Sequence, residues 1–142
     1  MISVSKIEDI RDLDVAFTIR EKVFVEEQKV PADAEYDQYE KSAHHYLATL
    51  NGVPCGAARW RLTDKGIKLE RFAVLPEYRN KEVGSYILHK VLGDIKATYP
   101  DKEVYLHAQL RAIPFYERQG FEAVGEQFSE CDIEHFKMIW RD

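Results

Sequence analysis

The chain opens with alternating apolar and polar residues and then changes to a helical spacing. The alternation in MISVSKI predicts a first β-strand. A mainly helical apolar spacing follows, with Asp9 or Asp14 as the candidate N-cap, and it ends before Pro31. Its apolar positions are Leu13, Val15, Phe17, Ile19, Val23 and Phe24. We therefore expect one strand, one helix and then an irregular loop.

The middle of the chain has the pattern of a β-hairpin. Two β-rich runs, HYLATL and VPCGAARWRL, flank Asn51 and Gly52. Asn-Gly is the dipeptide that most readily takes positive φ at both centres of a tight turn. A second turn, TDKG, leads to the run IKLERFAVL, which ends at Pro76. The pattern predicts three consecutive strands here.

The remaining residues predict two more helices and the last strands. A helix over 83–99 is closed by Pro100, VYLHAQL reads as a strand, and AIPFYERQ as a short helix stopped by Gly120. FEAVGEQFSECDIEHFKMIW predicts one or two strands with a turn near 130–132. One strand-helix-strand crossover in an otherwise antiparallel pattern implies an α/β fold, with a mixed sheet and helices on its faces. Ligands of such sheets bind outside the carboxyl ends of strands, so the loop between Leu75 and Gly84 is a candidate site.

Composition and charge narrow the function classes. The 142 residues suggest a single domain, 1–142, and 45% of them are hydrophobic, as in soluble globular proteins. No run approaches the roughly 18 apolar residues of a membrane span and no secretory signal is visible, so we expect a cytoplasmic protein without a membrane partner. Cys55 and Cys131 lack paired spacing, which predicts neither a disulfide framework nor a metal site. The net charge of −5 argues against a nucleic-acid partner.

The segment EEQKVPADAEYDQYE, residues 26–40, concentrates negative charge. It holds six acidic residues and one lysine. Such a run is typical of a solvated loop. The alternative is a rim that attracts a cationic substrate, and the sequence leaves both open.

The stretch EYRNKEVGSYILHKVL, residues 77–92, passes from a polar loop into a helix. A helix N-terminus offers unpaired N–H groups and a partial positive charge, so it can bind phosphate when the backbone approaches closely. Arg79 and Lys81 add cationic side chains. The alternative is a loop that merely begins a helix, and this stretch by itself does not decide between them.

Several ordered motifs resemble the GNAT superfamily of acyl-CoA-dependent N-acetyltransferases. The family signature is Arg or Gln, two residues, Gly, one residue, and Gly or Ala; here Arg79 and Gly84 hold the outer places, and Glu82 replaces the first glycine. The later FYERQGF is similar to the family's C-terminal aromatic pair followed by Gly-Phe. The runs IREKVFVEEQ, LHAQ and GEQFSECDIEHFKM resemble the ElaA-like branch in particular.

This resemblance implies a fold, a cosubstrate and a binding loop. It implies a twisted, mostly antiparallel sheet of six to seven strands, acetyl-CoA as the cosubstrate, no metal, an amine acceptor that is a small molecule or a peptide, and a possible homodimer. In the family the pyrophosphate rests on the loop's backbone amides, and the pantetheine arm pairs with the preceding strand. The matching residues are Arg79, Asn80, Lys81, Glu82, Val83, Gly84 and Ser85 for the pyrophosphate, and Phe72, Ala73 and Val74 for the pantetheine.

The expected reaction is attack of a neutral amine on a thioester, and it needs proton transfer. Deprotonating an alkylamine at pH 7 costs about 4.6 kcal/mol, so a base is expected. Glu70 and His107 are the candidates, and the alternatives are a paired surface glutamate and a structural histidine. Tyr116 matches the family tyrosine that protonates the departing thiolate, and its alternative is an aromatic that packs a helix.

The acceptor side is less defined by the sequence. His135 in the terminal strand and Glu26 in the acidic segment are candidate substrate-binding residues. A different class of function uses the same fold: an acyl-CoA sensor or interaction module without turnover, which would keep the loop but need neither Glu70 nor Tyr116. The presence of both favours an enzyme.

Glu82 is the one departure from the family pattern. A β-carbon narrows the approach of the backbone to phosphate, and a carboxylate about 7 Å from a phosphate costs roughly 0.6 kcal/mol in a water-like dielectric. Arg79 and Lys81 can offset this cost. We therefore expect the loop to bind acyl-CoA with weakened affinity.

Overall fold

A computed structural model describes residues 1–141, which contain seven strands and four α-helices. The strands are β1 (Ile2–Lys6), β2 (His44–Leu50), β3 (Val53–Thr63), β4 (Gly66–Val74), β5 (Val104–Gln109), β6 (Phe121–Glu130) and β7 (Ile133–Trp140). The α-helices are α1 (Ile10–Arg20), α2 (Ala32–Glu35), α3 (Val83–Thr98) and α4 (Ile113–Arg118). Two 3-10 turns, Pro76–Tyr78 and Leu110–Ala112, precede α3 and α4.

All seven strands form one sheet in the order β1-β2-β3-β4-β5-β7-β6. Every neighbouring pair is antiparallel except β4 with β5, which is parallel and is joined by the crossover helix α3. The predicted mixed sheet of six to seven strands is therefore confirmed. None of the helices in the described chain is long and apolar enough to cross a membrane.

Two of the three hairpin turns in the described chain have left-handed residues at both centres. Asn51 and Gly52 take φ of 52° and 84°, so both central residues of the predicted β2–β3 turn are left-handed. Cys131 and Asp132, with φ of 50° and 62°, turn β6 into β7 in the same way. Both turns lie where the sequence predicts them, although nothing in the Cys-Asp pair resembles the usual Asn-Gly.

The first helix differs from its prediction at its C-terminal end. It begins at the predicted cap, where the Asp9 carboxylate accepts a hydrogen bond from the Asp12 amide at 2.9 Å. After Arg20 the helix widens into a π-helical segment, Glu21–Glu27, which the apolar spacing did not predict. The expected irregular loop contains the short α2. π-Helical turns often lie at functional sites, and this one borders the site described below.

Apolar side chains form a core on each face of the sheet. On one face α3 buries a stripe that includes Ile87, Leu88 and Val91. On the other, α1 and the π-helical segment pack Ala16, Ile19 and Val23 on the sheet. Each fully buried Ile, Leu or Val contributes about 1.5–3 kcal/mol. The sheet is thus sandwiched between an α1 layer and an α3 layer, and we call its two sides the α1 face and the α3 face.

Candidate active site

A cleft opens where β4 and β5 separate. The two strands pair over three residues, from Ile67 with Val104 to Leu69 with Leu106. Beyond Leu69 no pairing between these strands is described in residues 1–141, and a cleft of about 820 Å³ extends between them. Separated parallel strands leave backbone N–H and C=O groups unpaired, so the cleft can accept an extended ligand.

A bulge in β4 directs side chains on its side of the cleft. The register with β3 shifts between the pair Ala57 with Ala73 and the pair Arg59 with Glu70, and Arg71 takes a φ of 56°. The extra residue lets two consecutive side chains point to one face. Glu70 and Arg71 accordingly both form ion pairs on the α1 face. The sequence contains no glycine here that could signal the bulge.

The predicted catalytic residues divide between the two faces of the sheet. Phe72 and Tyr116 pack against the core on the α3 face, with ring centroids 6.4 Å apart. Leu106 and Ala108 belong to the same core, so His107 between them points to the α1 face. His107 and Tyr116 both line the cleft. The cleft therefore has candidate proton-transfer groups on both faces, Tyr116 on the α3 face and His107 with Glu70 on the α1 face.

On the α3 face, the loop before α3 presents free backbone amides. Tyr86 donates to the Glu82 carbonyl at 3.1 Å, which is the first hydrogen bond of the helix. No hydrogen bond described within residues 1–141 uses the amides of Asn80, Lys81, Glu82, Val83, Gly84 or Ser85. These are the predicted pyrophosphate ligands, and unpaired N–H groups at a helix N-terminus suit an anion.

The two cations of this loop are used differently. Lys81 is exposed. Arg79 instead donates both terminal nitrogens to Glu27 at 2.7 Å and its Nε to the Val74 carbonyl at 2.9 Å. The Arg79 side chain thus ties the loop to the π-helical segment and to β4, and its contacts are with protein groups. This differs from the expectation that it adds charge for phosphate.

Glu82 occupies the place of the missing glycine in a left-handed conformation. Its φ is 68°, and Asn80 two residues earlier has φ 62°. Glycine adopts this region freely, whereas another residue pays about 1–2 kcal/mol. Gly84 has a different environment: a β-carbon there would lie 3.4 Å from the Phe115 ring, at an ordinary van der Waals distance. Glu82 is also the N-cap, so its carboxylate stands one residue before the first turn of α3.

The end of β4 has an edge toward the cleft that pairs with no other strand in the described chain. Leu75 donates to the Cys55 carbonyl of β3 at 2.9 Å. Since alternate residues direct their backbone groups to the same side, Ala73 also faces β3, while Phe72 and Val74 direct theirs to the cleft. Phe72 and Val74 therefore offer the edge expected to pair with an extended chain, and the buried Ala73 packs beneath α1.

Tyr116 places its hydroxyl in a largely apolar setting. Its ring contacts Phe72, Phe115 and Phe121 at centroid distances of 5.1–6.4 Å. No hydrogen bond to the hydroxyl is described within residues 1–141. Burial raises the pKa of the Tyr116 hydroxyl above its ordinary value, so the group stays protonated at neutral pH. The side chain is thus a neutral donor facing the cleft.

On the α1 face, Glu70 belongs to a buried network of ion pairs. Its Oε1 lies 2.9 Å from Arg59 and 2.8 Å from Arg61, and its Oε2 lies 3.3 Å from Lys68. Burial alone raises the pKa of Glu70, but the hydrogen bond from Arg61 and the charges of Arg59 and Lys68 outweigh it and hold the pKa below its ordinary value. A carboxylate held by three cations is a weak proton acceptor. The catalytic role of Glu70 stays a prediction, and its surroundings weigh against it.

The acidic segment 26–40 is only partly a solvated loop, because three of its six carboxylates lie in a network of ion pairs. Its carboxylates Glu35, Asp37 and Glu40 form ion pairs with two fully buried arginines, Arg20 and Arg59, at 2.7–2.9 Å. The network pins the segment to the sheet beside the cleft. The pairing joins residues 15 to 22 positions apart, which the local pattern of charge cannot reveal.

The two predicted acceptor residues lie in different surroundings. His135 is buried, lines the cleft and forms a hydrogen bond through Nδ1 with the Ile133 carbonyl at 2.7 Å. Glu26 is exposed on the π-helical segment and is not among the cleft-lining residues of the described chain. Gln28, two residues later, does line the cleft and accepts a hydrogen bond from Gln109 at 2.8 Å. The geometry brings together His135 and Gln28 and leaves Glu26 apart.

His107 has a carboxylate partner that was not predicted. Its Nδ1 lies 2.9 Å from Oε2 of Glu130, the last residue of β6. Sequence reasoning missed Glu130, because Glu130 comes near His107 only through the strand order, in which β7 lies between β5 and β6. Among residues 1–141, no group of three or more His, Cys, Asp or Glu side chains has the arrangement of a metal site.

Comparison with known proteins identifies the family. The family model for the GNAT acetyltransferase domain matches residues 7–141. Among curated relatives, the uncharacterized N-acetyltransferase YjcF of Bacillus subtilis is 39% identical over 87% of this chain and 89% of its own, and protein ElaA of Escherichia coli is 31% identical over 91% and 87%. The crystal structure of Escherichia coli ElaA superposes with a TM-score of 0.86 at 27% identity, covering 99% of this chain and all of the other. These relatives support the ElaA-like branch.

Proposed function

Because the chain belongs to the GNAT acetyltransferase family and is an acyltransferase enzyme, we propose that it transfers an acetyl group from acetyl-CoA to a primary amine by direct attack on the thioester. The observation that carries this proposal is the separation of β4 and β5, with free amides at the α3 N-terminus on one face and a histidine on the other. Thioester and amine would then approach the gap from opposite faces.

The α3 face has groups suited to acyl-CoA. The amides of residues 80–85 would hold the pyrophosphate, and the edge at Phe72 and Val74 would pair with the pantetheine amides. The Val74 carbonyl already accepts the Arg79 Nε, so Arg79 would share or release this contact when the arm binds. Lys81 is free to screen the phosphate charge, which reduces the penalty at Glu82.

The α1 face would receive the amine. Its nitrogen loses a proton to His107 and forms a bond to the carbonyl carbon, and the carbon–sulfur bond breaks with its electron pair on sulfur. Tyr116, protonated and on the opposite face, gives its proton to the thiolate. An imidazole is better suited to the first step than Glu70, because Glu70 is held by three cations. His135 and Gln28 would border the acceptor.

Screening of amine acceptors tests the proposal. We expect release of free thiol when the protein, acetyl-CoA and a suitable amine are combined, with a product heavier by one acetyl group in mass spectrometry. The panel should hold small amines, polyamines, amino sugars, amino acids and peptides with free N-terminal or lysine amines, and reactions without amine measure hydrolysis. Absence of acetylated product across all these classes would contradict the proposed transfer.

A further inference from the structure

The contact between Glu130 and His107 points to a role for a residue that the sequence did not mark as a candidate. Resting on the proposed function, we propose that Glu130 is a positioning residue that holds His107 as the Nδ1–H tautomer, with Nε2 directed at the cleft to take the proton of the amine. The two residues come from β6 and β5, strands separated in the sheet by β7. Their contact therefore depends on the whole C-terminal hairpin.

The charge state of Glu130 fixes the tautomer of its partner. The hydrogen bond from His107 lowers the pKa of Glu130, and burial, which raises the pKa, does not outweigh it. The charges of Lys68 and His135 lower the pKa further, so the carboxylate is ionised at neutral pH. An ionised carboxylate only accepts hydrogen bonds, so Nδ1 of His107 must donate across the 2.9 Å contact. A neutral imidazole then carries its lone pair on Nε2, which is the atom a general base needs.

Aromatic and backbone contacts hold the pair in place. The Phe128 ring packs edge-on against His107 at 4.9 Å and stacks on His135 at 5.8 Å. His135 in turn is fixed by the Ile133 carbonyl and lies 3.8 Å from the second oxygen of Glu130. Nε2 of His107 has no hydrogen bond described within residues 1–141, although its ring lines the cleft. The geometry therefore orients one nitrogen and leaves the other available.

Other charged or titratable groups near the pair are accounted for by the packing. They are Lys68 on β4, Tyr105 on β5, His135 and Lys137 on β7, and Cys131 in the turn. Lys137 lies opposite His107 in the register and places its Nζ 5.0 Å from the Tyr105 ring. Lys68 is paired with Glu70 at 3.3 Å. Glu130 is thus the acidic group in contact with His107.

Kinetics of three variants test the positioning role. We expect His107→Gln to lower kcat by about 100-fold, as for loss of a general base. Glu130→Gln should lower it by about tenfold, well below the ~10⁴-fold loss known for a buried triad carboxylate, because the Glu130 side chain is 44% exposed. In the His107→Gln background Glu130→Gln should cause no further loss, since it acts through His107. Independent, multiplicative losses would overturn the inference.

The split between kcat and KM separates positioning from a purely structural role. Glu130→Gln should lower kcat and leave KM for acetyl-CoA at the parent value, because Glu130 contacts His107 on the α1 face. Glu126→Gln is the matched control, since Glu126 is exposed on the same strand and outside the cleft, and both of its constants should equal those of the parent protein. A parallel change of both constants in Glu130→Gln, as for a loss of local structure, would contradict the proposal.

Nitrogen-15 NMR of His107 tests the contact without any turnover. Above the pH of imidazole titration, the parent protein should show the Nδ1–H form, and Glu130→Ala should shift His107 toward the Nε2–H form that dominates in free histidine. An unchanged tautomer would overturn the inference even if amine acetylation is established. If no amine is acetylated but the tautomer shifts, the proposed function fails while the positioning of His107 by Glu130 stands.

Discussion

The two faces of the cleft offer a ligand different kinds of groups. On the α3 face, the groups offered to a ligand are backbone amides of residues 80–85 and the edge of β4. On the α1 face, they are charged side chains already paired with one another, including Arg59, which is fully buried with three carboxylates around it. The groups offered on the α3 face depend on the path of the main chain, whereas those on the α1 face depend on which side chains are present.

This difference explains which substitutions each face tolerates. A backbone amide is supplied by any residue, so glutamate can replace glycine at position 82 at the cost of an αL conformation. A buried ion pair cannot lose one partner without leaving the other charge unpaired in a low dielectric. We therefore expect large effects from single changes on the α1 face and small ones in the loop.

Arg59→Met should have the largest effect on stability. Asp37, Glu40 and Glu70 all lie within 3 Å of the Arg59 guanidinium, which has no exposed surface. Removing it leaves several partly buried carboxylates without their main partner, and the free energy of unfolding should fall by about 3–5 kcal/mol. Chemical denaturation monitored by circular dichroism measures this loss.

Arg141→Met is the control for this substitution. Arg141 also forms an ion pair, with Glu122 at 3.1 Å, but both side chains are more than half exposed. Surface pairs of this kind contribute about 0–1 kcal/mol. A similar loss in both variants would contradict the special role of the buried network.

Tyr116→Phe should affect turnover and leave stability nearly unchanged. The hydroxyl has no hydrogen bond described within residues 1–141, and the ring contacts survive the change. If Tyr116 donates the proton to the thiolate, kcat should fall by about 100-fold while KM for acetyl-CoA changes little. Steady-state kinetics measure both constants.

Tyr86→Phe serves as the control for Tyr116. Tyr86 is half exposed on α3, and the same removal of a hydroxyl there should leave kcat at the parent value. Equal rates for Tyr116→Phe and the parent protein would show that the proton comes from another donor.

The sequence predicted those features that depend on neighbouring residues. The Asn51-Gly52 turn and the crossover helix follow from short patterns, and the binding of an anion by the loop with Arg79 and Gly84 stays a prediction. Features that depend on distant residues escaped it. The carboxylates near residue 40 pair with arginines of α1 and β3, and the bulge at Arg71 turns Glu70 into their network.

The contact of His107 with Glu130 shows the same limit. Each residue is visible in the sequence, and His107 was a candidate base, but the two meet through the order β5-β7-β6. They lie 23 residues apart, and no local pattern in the sequence marks them as partners. The strand order of the sheet brings the two residues together, and this order depends on the whole sequence rather than on a local pattern.

Stability at low pH should report on Asp37. Burial raises the pKa of Asp37, but the hydrogen bonds from Arg59 and the Tyr39 amide outweigh this effect and bring the pKa to about 2. Because the folded pKa lies below the unfolded value of about 3.9, this carboxylate adds stability above that value and loses its contribution as the pH falls toward 2. Denaturation midpoints between pH 5 and pH 2 should fall less steeply in Asp37→Asn.

Asp64→Asn is the control for this pH dependence. Asp64 lies in the exposed turn between β3 and β4, so its variant should keep the slope of the parent protein. Glu40 and Glu70 also have lowered pKa values, so part of the pH dependence of stability should remain in Asp37→Asn. Identical slopes in Asp37→Asn and the parent protein would show that Arg59 does not hold Asp37 ionised.

The smallest effect is expected in the loop, from Glu82→Gly. Two terms favour the variant: removal of a carboxylate about 7 Å from the phosphate, worth roughly 0.6 kcal/mol, and closer approach of a backbone that is already left-handed. KM for acetyl-CoA should therefore fall about threefold, with kcat unchanged. Glu82→Ala separates the two terms, since it removes the charge and keeps the β-carbon at a φ of 68°. An equal fall in both variants assigns the effect to charge, and a fall in Glu82→Gly alone assigns it to the backbone. A KM that is unchanged or raised in both variants would mean that the loop binds acyl-CoA as well with glutamate as with glycine. Recognition by the main chain would then be insensitive to the one residue that departs from the family pattern.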